Sequence, residues 1–330
     1  MKRATQKRTL GRSGVEVTTL SLGTAPLGGL FSHVEDDAAT AVVHTALEAG
    51  LGYIDTAPLY GHGVAERRIG AALAALRSRA DGDAHTSYVI STKVGRLIVD
   101  NPQGDSDGYA DAPPSEAIFD FSPDGIRRSL AESLERLGLD AVDIVYIHDP
   151  DDHEEEALTV AYPVLHELRA EGVVKAIGVG MNQSRIPTRF VRETDIDAVL
   201  LAGRYTLLDQ TGAVDLLPAC IERGVSIVIG GVYNSGLLAD PRPGATFNYV
   251  EAPPELVARA QELAAVCARH DVPLKAAAIQ FPLAHPAVAS VLTGARSVAE
   301  LTENIDMMEY DIPDALWDDL ADVGARRYDR

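Results

Sequence analysis

The chain is poor in cysteine: 330 residues carry only Cys220 and Cys267. Two isolated thiols in helix-like surroundings make no disulfide framework and point to a reducing compartment. No apolar run is long enough to cross a bilayer. The basic start, MKRATQKRTLGRSG, is followed by no apolar h-region, so no secretory signal is read there. Basic residues are also scarce, with 29 Lys and Arg against 49 Asp and Glu and a formal charge of −20. That deficit argues against nucleic acid and anionic membranes, whose fields reward a basic face. No linker-like tract, low-complexity block or sequence repeat divides the chain, so residues 1–330 are expected to form a single domain. The compartment expected from these absences is the cytoplasm.

What is present is an alternation. Short apolar runs occur at residues 18–26, 51–57, 87–95, 142–150, 173–182, 197–205, 224–231 and 289–295. Helix-like segments lie between them, among them 36–50, 122–138, 157–172 and 253–270. The segment 122–138 is well punctuated: Ser122 is placed to cap it, Pro123 sits at the first helical position and Gly138 ends it. Eight βα units with near-continuous apolar strands predict an α/β fold of the (β/α)8 TIM-barrel class. A doubly wound sheet is the competing architecture. Two long loops, 95–121 after the third strand and 232–252 after the seventh, are expected on the C-terminal side of the strands, where barrel enzymes place their chemistry.

Three charged or titratable residues fall at consecutive strand ends: Asp55, Lys93 and His148. Tyr60 follows the first of them in YIDTAPLYGHG. Adjacent strand ends of a barrel meet at one mouth, so the four can converge. A phenol with an ordinary pKa near 10 exchanges protons poorly at neutral pH. A neighbouring ammonium favours the phenolate, and a carboxylate holds that ammonium in place. A histidine beside them can orient a carbonyl or hydroxyl oxygen. The bland alternatives are a capping Asp55, a snorkelling Lys93 and an edge His148, and four such groups on three strand ends outweigh them together. The acidic run HDPDDHEEE (148–156) reads as a solvated loop, and no His-x-His ends the first strand, so no metal site is expected. The glycines of GHGVAERRIG and LGTAPLGG do not complete a dinucleotide fingerprint, the second being interrupted by Pro26.

These motifs resemble the aldo-keto reductase family through nearly the whole chain. The resemblance rests on LGRSGVEVTTLSLGTAPLGG, YIDTAPLYGHGVAERRIGAAL, VISTKVG, SLAESLERLGLDAVDIVYIHDPD, GVVKAIGVGMNQ and VLTGARSVAELTENI. It implies a (β/α)8 barrel that binds NAD(P) without a Rossmann domain, with Asp55, Tyr60, Lys93 and His148 as the catalytic tetrad. It further implies cofactor contacts at Gly23, Thr24, Asp55, Asn182, Tyr233, Ser235, Gly236, Leu237, Gly294, Arg296, Glu300, Glu303 and Asn304, and substrate contacts at Tyr60, His148 and Asp149. The partner so implied is a small-molecule aldose or aldehyde, and the assembly a monomer or small homo-oligomer.

The sequence departs from the family pattern around the nicotinamide. Met181 stands where a Ser is usual, Gly203 where a Gln is usual, and Gly230-Gly231 where an aromatic residue usually stacks on the ring. Tyr233 and Tyr205 are the nearest candidates to compensate. At the adenosine end, Gly294 and Glu300 replace the Lys and Arg of strongly NADP-selective members. A carboxylate repels a 2′-phosphate and can accept from a free ribose hydroxyl, so NAD is the expected cofactor, with NADP the alternative because of Arg296.

YIHDPDDH, GGVYNSGLLA and the long loop after Lys93 resemble the branch containing D-threo-aldose 1-dehydrogenases and pyridoxal 4-dehydrogenase. That likeness implies oxidation of an aldose of the L-fucose or D-arabinose type at its anomeric hydroxyl, giving a lactone, with Tyr60 as acid/base. Oxidation of pyridoxal or general aldehyde reduction on the same tetrad is the alternative, and loop residues Tyr109, Phe119 and Phe121 do not decide between them. A non-catalytic, cofactor-binding regulatory subunit is the remote alternative.

Overall fold

The computed structural model describes residues 2–79 and 88–328. The third apolar run begins at Ser87, which lies outside the described residues. Eight strands form one closed barrel: β1 (Leu20–Gly23), β2 (Tyr53–Asp55), β3 (Val89–Val94), β4 (Ile144–His148), β5 (Ala176–Met181), β6 (Ala198–Ala202), β7 (Ser226–Gly230) and β8 (Val288–Gly294). Each pairs in parallel with its sequence neighbours, and β8 returns to β1 through the register Gly294↔Gly23. Closure leaves no edge strand, which decides for the barrel against the doubly wound sheet.

The period-2 alternation of a strand sorts side chains into two cores. Outward residues such as Leu22, Ile54, Ile90, Ile147, Val199 and Ile229 belong to the large core under the surrounding helices. Inward residues such as Tyr53, Tyr146, Leu200, Val228 and Leu292 form a second core inside the barrel. A hairpin, Lys7–Thr9 paired antiparallel with Glu16–Thr18, comes before β1. Val17 of the hairpin and its neighbours Leu10 and Val15 belong to the interior core, so the hairpin closes the N-terminal end of the barrel. Among the described residues the C-terminal mouth is the end left open for chemistry.

The helix Pro123–Leu137 forms as its punctuation predicts. Gly125 N–H donates to Ser122 Oγ at 3.1 Å, and Gly138 closes the helix at φ +60°, where a glycine is at ease. The segment expected as one helix over 157–172 instead starts with a π-helical turn, Ala157–Ala161, before the α-helix Tyr162–Ala170. Pro163 explains the break, since it has no N–H for the regular ladder.

Both long loops contain strands of their own. Arg96–Asp100 pairs with Ser115–Phe119 in an antiparallel hairpin after β3. After β7, Thr246–Phe247 pairs with Val250–Glu251 across Asn248 and Tyr249, whose φ values of +49° and +67° are those of a two-residue primed turn. Their short apolar runs pair only because the barrel holds the loop ends close together.

Candidate active site

Alternation also builds the site, because Asp55, Lys93 and His148 all occupy inward positions at the last or penultimate residue of β2, β3 and β4. Asp55 is fully buried and Lys93 nearly so, at 0% and 1% exposure, a placement tolerated only for a paired charge. Lys93 Nζ donates to Asp55 Oδ2 at 2.7 Å, to the Thr56 carbonyl at 2.9 Å and to Tyr60 Oη at 3.0 Å. All three ammonium protons are thus used, and one of them fixes the phenol. The Tyr60 ring meets the His148 ring edge-on, with centroids 6.0 Å apart. The structure therefore brings together all four residues expected at the mouth.

Burial dominates the protonation states here. It pushes the Tyr60 phenol well above its ordinary value, and the negative charges of Asp55 and Asp149 add to the effect. The net direction is therefore opposite to the lowering expected from Lys93: burial outweighs the ammonium that donates to Oη, and the phenol is protonated. Burial, with the nearby charges of Lys93 and Arg96, pushes His148 well below its usual value, so the imidazole is neutral. Asp55 is raised by burial, against the opposing charge of Lys93 and the hydrogen bonds of Lys93 and Ser91. Asp149 is pushed up to about 6, again mainly by burial.

A further set of hydroxyls escaped the sequence reading. Ser91 Oγ donates to Asp55 Oδ1 at 2.7 Å, and lies 2.9 Å from Tyr53 Oη, which is 3.3 Å from Tyr146 Oη. Ser91 is two residues before Lys93 on β3, so inward alternation alone would have placed it beneath the lysine. Tyr53 and Tyr146 were read only as apolar strand residues, although their hydroxyls complete this buried chain.

Above the tetrad lies a cavity of about 320 Å³. His148, Asp149, Asn182 and Arg96 line one part of it, and Tyr109, Asp107, Phe31 and Tyr249 another. Asp149 has φ +41°, and its Oδ2 lies 3.6 Å from His148 Nε2. Asp107 accepts from the buried His62, with Nε2 at 3.0 Å. Phe31 and Tyr249 approach across the rim with centroids 5.9 Å apart, each at positive φ. No local pattern marks Asp107, Phe31 or Tyr249, because loops remote in sequence carry them to the mouth.

The other expected residues form a line from β5 to β8. Asn182 is exposed and lines the cavity. Gly203 and Gly231 take φ +69° and +63°, and Asn234 Nδ2 donates to the Gly203 carbonyl at 3.2 Å. Tyr233 Oη donates to Asn304 Oδ1 at 3.1 Å, while Asn304 Nδ2 donates to the Gly294 carbonyl at 3.3 Å. Ser235 accepts at Oγ from Tyr249 N–H at 3.2 Å, Gly236 stands at φ +102°, and Leu237 is buried. The Thr24 hydroxyl and N–H both donate to the Asp55 carbonyl, at 2.8 and 3.1 Å. It thereby ties the end of β1 to Asp55, next to Gly23, which pairs with Asp55 in register.

The two aromatic candidates near the nicotinamide position are placed differently. Tyr205 packs against Phe281 and His285, at 5.3 and 5.7 Å, away from the cavity. Tyr233 is engaged with Asn304. Neither stands beside Gly230, whose nearest neighbours are Leu200 and Ala202. At the far end, Glu300 accepts from Arg296 N–H at 2.8 Å, and Ser297 Oγ caps the helix Val298–Glu309 by accepting from Glu300 N–H at 3.2 Å. Arg296 reaches across to the Leu30 carbonyl at 3.3 Å, and Glu303 pairs with Lys275 at 2.5 Å. Among the described residues no group of His, Cys, Asp and Glu could hold a metal ion, and no helix is long and apolar enough to cross a membrane.

The sequence matches the model of the aldo/keto reductase family over residues 19–325. It is 45% identical to a D-threo-aldose 1-dehydrogenase of a Pseudomonas species, covering 94% of this chain and 95% of that protein. It is 42% identical to a pyridoxal 4-dehydrogenase of Microbacterium luteolum, covering 98% of both. The fold superposes on an aldo-keto reductase of Bacillus halodurans in its holo form with a TM-score of 0.74, at 25% identity and covering 99% of both chains. With the barrel, the mouth and these likenesses in hand, the chain belongs to the aldo/keto reductase family and is an NAD(P)-dependent oxidoreductase.

Proposed function

We propose that this protein is an aldose 1-dehydrogenase that oxidises the anomeric hydroxyl of a free sugar of the L-fucose or D-arabinose type to the lactone, with NAD as the preferred acceptor. The observation that carries the reading is a set of four polar side chains, Arg96, Asp107, Asp149 and Asn182, that share the lining of the cavity of about 320 Å³ beside the tetrad with apolar and aromatic neighbours such as Leu30, Phe31 and Tyr249. A polyhydroxylated substrate suits such a lining, because each buried polar group left unpaired costs affinity. The 45% identity to a D-threo-aldose 1-dehydrogenase supports the same reading. A second reading, pyridoxal oxidation, has support from the rim aromatics Phe31, Tyr109 and Tyr249 and from the 42% identity to a pyridoxal 4-dehydrogenase.

The residues of the β5–β8 rim fit a nicotinamide dinucleotide. Asn182 offers an exposed amide, and Gly236 has open space where a side chain would lie. Arg296 Nε is buried without a hydrogen-bond partner among the described residues, a donor that a ligand oxygen can satisfy. Asn182 would hold the carboxamide, the Ser235–Leu237 turn the pyrophosphate, and Arg296, Glu300, Glu303 and Asn304 the adenosine. When bound, the nicotinamide supplies the acceptor for the hydride that leaves C1 of the sugar.

The proton chemistry belongs to Tyr60. In the oxidative direction its phenolate takes the proton of the anomeric hydroxyl as C1 becomes a carbonyl carbon, and in the reductive direction its phenol returns that proton. Lys93, donating to Oη at 3.0 Å, stabilises the phenolate, which burial otherwise disfavours. Neutral His148 sits beside the same oxygen position and orients it by hydrogen bond.

The reading is tested by following nicotinamide absorbance with L-fucose, D-arabinose, pyridoxal and pyridoxine, each with NAD and with NADP. Turnover with the sugars and NAD is expected. Turnover with pyridoxal alone would replace the sugar reading with the second one. Glu300→Lys is expected to move the NADP-to-NAD preference in kcat/KM by about 10- to 100-fold, the worth of exchanging repulsion for a charged hydrogen bond. An unchanged ratio would remove Glu300 from cofactor discrimination.

A further inference from the structure

We infer that Arg96 is a specificity-determining residue that, together with Asp149, recognises the substrate hydroxyl on the carbon next to the reacting one. The inference rests on the proposed aldose reading and names the group that would read the sugar.

The placement of Arg96 begins with Gly95. That glycine turns the chain out of β3 at φ +98°, and a Cβ there would lie 2.3 Å from the Phe121 ring. The turn starts the hairpin Arg96–Asp100 and directs Arg96 into the cavity three residues after Lys93. Its guanidinium lies 4.1 Å over the Phe119 ring, which orients the plane of the fork and covers one face.

What the guanidinium lacks is a full set of acceptors. Arg96 Nε is buried with no hydrogen-bond partner among the described residues. One terminal nitrogen lies 3.9 Å from Asp149 Oδ2, beyond hydrogen-bond range, although both side chains are largely covered. A largely buried guanidinium without close acceptors is costly. Its unsatisfied donor belongs to a residue that lines the cavity beside His148.

The chemistry of the gap selects its occupant. A hydroxyl seated beside the pair can accept from the guanidinium and donate to the carboxylate, satisfying both. A carbonyl oxygen or phenolate accepts only, and would face Asp149 without a proton to offer. Because His148 and Asp149 are consecutive, a hydroxyl next to the reacting carbon falls at this pair when the reacting oxygen is at Tyr60 and His148. The pair therefore favours sugars over substrates in which that position is deoxygenated.

The test compares D-arabinose with 2-deoxy-D-ribose, which is the same sugar without its 2-hydroxyl, in wild type and Arg96→Met, with benzaldehyde reduction as the reference reaction. Wild type is expected to lose about 10- to 100-fold in kcat/KM on removal of the hydroxyl, the worth of a hydrogen bond to a charged group. Arg96→Met is expected to lose a similar factor on D-arabinose and little further on 2-deoxy-D-ribose. Arg96→Lys is expected to fall between, since an ammonium keeps the charge without the fork. Equal losses by Arg96→Met on both sugars would overturn the inference, because the residue would then not sense the hydroxyl. A wild-type enzyme that reduces benzaldehyde but oxidises neither sugar would overturn the aldose reading itself, and this inference with it.

Discussion

Tyr60→Phe is expected to lower kcat by about 10²- to 10⁴-fold, the usual worth of a positioned proton donor or acceptor, while NAD binding measured by calorimetry stays within about twofold. The argument is geometric. Tyr60 Oη accepts a hydrogen bond from Lys93 Nζ at 3.0 Å and faces the cavity beside His148, so it alone of the tetrad offers an oxygen both to the interior network and to a substrate. Phenylalanine keeps the ring against Tyr109 and His148 and removes only that oxygen. Retained turnover in Tyr60→Phe would sink the assignment of proton transfer to this residue. Lost cofactor binding would instead mean that the phenol organises the β-strand ends more than it reacts.

The second large effect concerns stability. Lys93→Met should destabilise the protein by about 3–5 kcal/mol at neutral pH, because it leaves the Asp55 carboxylate buried and without its ion pair. Only Ser91, donating at 2.7 Å, would remain on that carboxylate. The pH dependence separates this from a simple packing loss. Burial already raises Asp55 in the folded protein, and the Lys93 charge opposes that rise. Without Lys93 the folded pKa climbs further above the unfolded value near 3.9. A carboxyl raised on folding costs nothing below its unfolded pKa, and its cost grows with pH until the folded pKa is passed. The deficit of Lys93→Met against wild type, from urea unfolding, should therefore shrink as pH falls towards about 4. Lys93→Met with Asp55→Asn should regain part of the loss at neutral pH. A deficit of the same size at every pH would show that lost packing, not the stranded charge, is responsible.

The Arg96–Asp149 pair and the Lys93–Asp55 pair illustrate two uses of a covered charge. Lys93 and Asp55 meet at 2.7 Å, and Thr56, Tyr60 and Ser91 complete their hydrogen bonds, which makes them a fixed platform. Arg96 and Asp149 stop at 3.9 Å with a donor unspent, which makes them receptive. Rigidity under the phenol and unsatisfied polarity beside it are what a site needs if it is to hold one oxygen for chemistry and read another for identity.

The sequence alone pointed to eight βα units and to the four residues at the barrel mouth, and closure in the folded chain decided between the barrel and the doubly wound sheet. Eight apolar runs spaced by amphipathic segments imply parallel strands buried on both faces, a condition that a closed barrel and an open doubly wound sheet both meet. Asp55, Lys93 and His148 were legible because polar groups at the ends of buried strands break an otherwise apolar pattern, and Ser122, Pro123 and Gly138 were legible because capping is local chemistry. Tertiary structure decided the remainder. The hairpin Arg96–Asp100 with Ser115–Phe119 could not be read from its own residues, since its pairing depends on ends held by β3 and the helix Pro123–Leu137. Tyr249, Phe31 and Asp107 reach one cavity from three loops far apart in sequence, and no periodicity encodes that meeting. The net direction of the Tyr60 pKa was not legible for a related reason: the lysine is visible in sequence, whereas the depth of burial that outweighs it is a property of the folded mouth.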